Sequence, residues 1–269
     1  ALRALGHEVT VGIDPDISAM NIIWECFYPR SSVVPLKMGI KFGLVLTEPL
    51  DADDGFGEGR TNPIWTERYE AMKEAIPLAK FLWRLVPDAL GRFALLSGEL
   101  GGPMPRELRY GWVPEIATAA NYGAPGYIYF QGAPTEYRAE LLERLGGTPG
   151  VRLVARQGFL PIPDMLKMID GASSLLGLKQ HANWIWPSNL RALRALHAGR
   201  TFILEDQPGN IWPTQFFPRK PADMDVVDWI RSQDGFDQSV TREMLSATLP
   251  PMAKTLEHLI ALSINDKDI

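Results

Sequence analysis

The chain has 269 residues, 46% hydrophobic and 22% charged, with a formal net charge of −5 and a single cysteine. This composition excludes collagen, coiled coil and wholesale disorder, and the acidic balance argues against a non-specific nucleic-acid binder. No run of about 18 uncharged apolar residues predicts a bilayer span, and Cys26 alone makes neither an internal disulfide nor a cysteine-rich zinc site.

In chain order, Ala1 to Val11 reads as the end of a helix, a stop at Gly6 and a strand. A helix ending at residue 5 is too short to be whole, so an earlier strand and loop are expected to precede it. No secretory-type leader is recognisable, which makes the reducing cytoplasm the expected compartment. Strands are predicted near 8–13, 20–27, 41–47, 79–85 and 108–113, then 127–132, 151–155, 174–178 and 201–205. Helical patterns fall at 30–38, 63–76, 87–97, 134–146, 163–171, 188–198, 223–233 and 240–263. Such alternation predicts parallel sheets flanked by helices.

In 80–92, Lys80, Arg84, Asp88 and Arg92 recur every four residues, which suits an amphipathic helix on a membrane surface. Pro77 and Pro87 favour strand, turn and helix instead. The second half is clearer. Thr135 can cap a helix carrying Tyr137, Leu141 and Leu145, Asp164 the next, and Ser188 one with a Leu190, Leu193, Leu196 stripe ended by Gly199. Pro114, Asn121, Gly123, Pro125 and Gly126 mark a boundary within 114–126. Two domains follow, 1–120 and 121–269, each a doubly wound Rossmann-like sheet, facing across a cleft.

Four constellations can carry chemistry. Gly55-Phe56-Gly57-Glu58-Gly59 lacks the dinucleotide register and a following phosphate-gripping lysine, and reads as a surface loop. Asp51, Asp53 and Asp54 could hold a divalent cation on a nucleotide diphosphate, although an acidic loop is ordinarily just solvated. Of the histidines, His197 and His258 lie in helical patterns and suit packing or surface roles, and no paired metal-ligand spacing occurs. His181 follows the 174–178 strand, at the strand end where parallel sheets place ligands. The fourth runs from Leu176 to Gly209: strand, polar loop, helix begun by Ser188, glycine, strand and acidic turn. The helix start is a ready anion site, and Lys179 and Arg191 could add positive charge suited to a diphosphate; the alternative is an ordinary strand–helix–strand crossover with solvated polar ends.

At these residues the chain resembles bacterial glycosyltransferases of the two-domain GT-B type, nearest the spore-maturation-protein-like group. Tyr127 to Arg138 is similar to the strand, turn and basic helix that open that group's C-terminal domain. Arg191, Gly199 and Asp206 match its arginine, glycine and acidic residue, and Leu5 to Val11 is similar to the end of the first helix and second strand. The resemblance implies a donor site built from Gly132, Arg138, Phe159, Lys179, Ser188, Asn189, Arg191 and Asp206. The nucleotide base would lie near Phe159, and the 240–263 helix would cross back between the domains. Where many retaining members carry two glutamates, this chain has Trp186 and Arg194, so ribose recognition must differ or be absent.

The expected activity is transfer of a sugar from a nucleotide-sugar co-substrate to a glycan, lipid or protein acceptor. No metal and no nucleic acid are expected, and peripheral membrane contact remains open. Glu48, past the 41–47 strand, is the first candidate for general base, with His181 second. One rival is a non-catalytic sugar- or nucleotide-binding protein using Trp184, Trp186 and Trp212. The other is a metal-dependent single-sheet (GT-A) transferase built on Asp51 and Asp53.

Overall fold

The computed structural model describes residues 1–12, 14–25, 27–50, 56, 63–86, 91–133, 135–158, 160–182, 184, 188–205 and 214–265. It is an α/β protein with two four-stranded parallel sheets, as the alternating pattern predicts. The chain divides into two compact units, Ala1–Gly111 with Pro250–Ile269, and Trp112–Leu249.

The first sheet comprises β1 (Asn21–Trp24), β2 (Phe42–Leu46), β3 (Leu82–Arg84) and β4 (Pro105–Glu107), all parallel and in sequence order. Crossovers between strands added in one direction are right-handed and so fall on one face. That face carries Phe42, Leu44, Leu46 and Leu82 against Met72 of α1 (Pro63–Ala75), Ile76, and Phe93 of α2 (Arg92–Glu99). The alternate residues Val45 and Trp83 point the other way and would be bare without a further element. The C-terminal helix covers them: Leu256 and Leu259 of this segment, Met252–Asn265, pack there, and the Trp83 indole N–H donates to Ser263 Oγ at 3.1 Å. Gly43 belongs to this face, because a Cβ there would lie 1.9 Å from the Phe81 ring, which stacks on Trp83 at 4.5 Å.

The second sheet is ordered differently. β5 (Tyr127–Gly132), β6 (Leu153–Gln157), β7 (Ala172–Gly177) and β8 (Thr201–Leu204) run β6-β5-β7-β8, all parallel. The chain steps outward from β5 to β6, then returns to β7, so the direction of winding reverses between β5 and β7. Helices therefore cover both faces. Ile128, Phe130, Leu176 and Ile203 pack on Leu141 and Leu145 of α3 (Glu136–Gly146) and on Trp229 and Ile230 of α6 (Val226–Gln233). Tyr129, Leu175 and Phe202 face Ile169 of α4 (Ile162–Asp170), Ala192 and Leu196 of α5 (Asn189–His197), and Leu245 of α7 (Ser239–Thr248). This is the doubly wound order, seen in the second sheet and not among the described strands of the first.

Several expectations are corrected. Residues 8–12 form no strand, and Val11 is exposed, with no strand paired to it among the described residues. The fourth strand lies at Pro105–Glu107 instead of 108–113. Residues 30–38 form a 3-10 helix containing Pro35, which removes an α-helical donor. The 240–263 pattern is broken by Pro250-Pro251 into α7 and a last helix, α8 (Met252–Asn265), and α8 packs in the first unit. The units accordingly divide after Gly111, ahead of 114–126, and residues 250–269 leave the second unit. Within 80–92 the backbone is a strand at Leu82–Arg84, which removes the amphipathic-helix alternative. Thr135 caps α3, accepting from the Arg138 amide, whereas α4 begins at Ile162 after Pro161, which places Asp164 inside its first turn instead of at the cap.

Candidate functional site

The reversal between β5 and β7 is where open parallel sheets leave a crevice at their carboxyl ends. Here β5 ends at Gly132 and β7 at Gly177, followed by Leu178 and Lys179. Arg138 of α3 reaches across this end. Its Nε donates to the Lys179 carbonyl at 2.8 Å, Nη2 to Leu178 at 3.0 Å and Nη1 to Ala133 at 3.1 Å. The residue is buried, and these three bonds all go to backbone carbonyls. Arg138 thus acts as a strut between the two loops.

Arg191 contrasts with it. It lies in the first turn of α5 with its guanidinium 5.3 Å from the centre of the Phe130 ring. Nη1 is buried and has no hydrogen-bond partner among the described residues. Burial, with the charges of Arg138 and Arg194 beside it, pushes its pKa down to about 9. Gly132 gives it room, since a Cβ there would lie 2.8 Å from Arg191 Nη2. In the same turn Asn189 Oδ1 is likewise buried without a partner among the described residues. Ser188 is the residue before the helix, and its side chain makes no capping bond. Arg194, one turn on, donates to the Met165 thioether at 2.9 Å, and burial lowers its pKa. A buried cation without an anion is costly, and an incoming anionic oxygen would satisfy it.

Around this centre the remaining predicted residues are brought near in part. Lys179 donates its amide to Glu205 Oε2 at 2.9 Å, and its ammonium reaches the Ala182 carbonyl at 3.4 Å. Glu205 directly follows β8, is buried, and also accepts from the Tyr137 hydroxyl; burial raises its pKa. The sequence reading does not single out Glu205, although an acid at the end of an apolar strand is a signal. His181 meets Trp184 edge-to-face at 5.4 Å, in the loop between β7 and α5.

A second polar centre lies in the first unit, at the carboxyl ends of β1 and β2. Glu25, the residue after β1, is fully buried. Arg68 of α1 places Nη2 at 2.9 Å from Glu25 Oε1 and at 3.3 Å from Glu48 Oε1. The Thr47 amide and hydroxyl donate to Glu25 Oε2 at 3.3 and 3.1 Å. The Arg68 guanidinium is 4.5 Å from the Trp65 ring centre. Burial pushes Glu25 up to about 7 despite Arg68. Glu48 was singled out in the sequence and Glu25 was not, though both follow apolar strands.

Phe159, Asp206, Asp51, Asp53, Trp186 and Trp212 lie outside the described residues, as do Gly55 and Gly57–Gly59. Among the described residues no group of three or more His, Cys, Asp or Glu side chains converges to hold a metal ion, and no helix is long and apolar enough to cross a membrane. The chain matches no protein-family model and no curated protein.

Proposed function

We propose that the chain is a nucleotide-sugar-dependent glycosyltransferase of the GT-B type, with the donor diphosphate held at the β5–β7 reversal. The observation that carries this reading is the buried Arg191 guanidinium, unpartnered at Nη1 and next to Gly132 at the carboxyl end of the second sheet. Phosphate oxygens supply the missing acceptors, and fixed positive charge stabilises a departing nucleoside diphosphate. Lys179, Ser188 and Asn189 complete the donor contacts, with Arg138 holding the loops in place. His181, in the loop that follows β7, is a further candidate for proton transfer. The donor is a co-substrate, the acceptor is a glycan, lipid or protein, and the reaction runs in the cytoplasm without a metal.

The test is incubation of the whole chain with a panel of nucleotide sugars, followed by measurement of nucleoside diphosphate release with and without a divalent metal. Release that falls at least about tenfold in Arg191→Ala supports the reading. Binding without release across a broad acceptor panel would favour the non-catalytic alternative. Metal dependence abolished in Asp53→Ala would favour the single-sheet one.

A further inference from the structure

Beside Arg191 the second sheet carries two further arginines. Arg194 stands one turn on along α5, and Arg156 stands on β6 beside Gln131 in the parallel register. Tyr129 and its register partner Val154 face α4 and α5. Side chains two residues apart on a strand share a face, so Gln131 and Arg156 lie on that side too. We propose that this face binds a second anionic group of the donor, a phosphate or carboxylate separate from the diphosphate, and that Arg194 and Arg156 recognise it. The inference rests on the donor-site reading above, in which Arg191 takes the diphosphate.

The two guanidinium groups of α5 serve different sides of the sheet. Arg191 lies at the Phe130 ring, on the α3 side, next to Gly132. Arg194 instead donates to the Met165 thioether of α4 at 2.9 Å, and a thioether is a weak acceptor for a guanidinium. A diphosphate at Arg191 therefore leaves the charge on the α4 side without an anion. The oxygen on which Arg156, Arg191 and Arg194 all bear is the Tyr129 hydroxyl. It donates to Gln131 Oε1 at 3.2 Å, and Gln131 Nε2 donates in turn to the Gly158 carbonyl at 3.1 Å. Burial raises the Tyr129 pKa, so the phenol stays neutral and offers a lone pair without a charge. Nearby acids serve other cations: Glu205 bears on Lys179 and Arg138, and Asp164 pairs with Lys167 at 3.8 Å. Among the described residues no carboxylate pairs with Arg156, Arg191 or Arg194. The like charges repel, and Arg194 already contributes to the lowered pKa of Arg191. An anionic group on the α4 side removes that repulsion, and the planar forks of Arg156 and Arg194 match phosphate or carboxylate oxygens. Both side chains are exposed, so a ligand reaches them without displacing the core.

The test is calorimetric titration of the whole chain with matched pairs of ligands. One pair is adenosine diphosphate and adenosine diphosphate phosphorylated on a ribose hydroxyl. The other is uridine diphosphate glucose and uridine diphosphate glucuronic acid. In one pair the member with the extra anionic group should bind at least about tenfold more tightly, and that pair shows whether the nucleotide or the sugar carries the group. The preference should shrink severalfold in Arg194→Gln and in Arg156→Gln, whereas Arg191→Ala should weaken both members of the pair. No preference in either pair overturns the proposal, as does a preference undiminished by both glutamine substitutions. Both substitutions are at exposed positions, and if one fails to fold by circular dichroism the other decides the matter. Sugar transfer is scored separately. A preference without nucleoside diphosphate release from any nucleotide sugar overturns the transfer reading and leaves the second anion site standing. Release without a preference supports transfer and overturns the second site.

Discussion

The Val113 amide donates to His197 Nε2 at 3.1 Å, while His197 Nδ1 lies 2.7 Å from the Leu193 carbonyl. These partners assign the proton to Nδ1 and require a neutral ring, which also stacks on Trp112 at 4.1 Å. Protonation at Nε2 would set a second N–H against the Val113 amide.

Stability of the second unit should therefore depend on pH with a defined sign. Burial, with the Arg242 charge, holds His197 below its ordinary value of 6.5. Its contribution is complete above 6.5 and is lost as pH falls from there to the lowered folded value. Melting temperatures measured from about pH 7.5 to about pH 5 should fall, and less steeply in His197→Gln. That variant should itself lose about 2 kcal/mol at neutral pH.

Replacing Arg191 separates binding from folding. Because its buried Nη1 has no partner, Arg191→Met should raise stability by about 1–3 kcal/mol while weakening donor binding. Chemical denaturation and calorimetric titration with a nucleoside diphosphate measure the two effects. A variant that loses stability and keeps its affinity would contradict the site described here.

Gly132→Ala should act in the opposite sense on stability. The added methyl would meet Arg191 Nη2 at 2.8 Å and Phe130 Cζ at 2.9 Å, so one of them must shift. A loss of about 1–3 kcal/mol is expected, together with weaker diphosphate binding.

On the first unit, Leu259→Ala should cost about 2–5 kcal/mol, because Leu259 is buried against Val45 and Trp83. Urea denaturation followed by tryptophan fluorescence reports this directly, since Trp83 lies in the same cluster.

Much of the fold was readable because buried parallel strands are continuous apolar runs. Tyr127–Gly132 and Thr201–Leu204 were legible for that reason, and α3 through its Thr135 cap. Val11 misled because local apolar content does not supply a pairing partner. The last helix was mistaken for a continuation of α7 because its periodicity runs through Pro250-Pro251 nearly in phase. At the site, the residue types were evident but their commitments were not. Arg138 and Arg191 are both arginines near one strand end, yet one is bonded to three carbonyls and the other has a buried nitrogen without a partner. That difference depends on contacts distant in sequence. Glu25 was overlooked because its meaning comes from Arg68, 43 residues later.

The last helix, α8, also dictates an order of events during synthesis. Strands β1 to β4 are complete by Glu107, but the helix that covers Val45 and Trp83 begins at Met252. A growing chain emerges at about 5–20 residues per second, so this sheet stands half-clothed for on the order of ten seconds. During that interval its indole and valine surface is open to chaperones or to neighbouring nascent chains. The second unit, whose segments are contiguous from Trp112 to Leu249, can close first. Of the two units, the one whose strands are made earlier is thus the later to be completed.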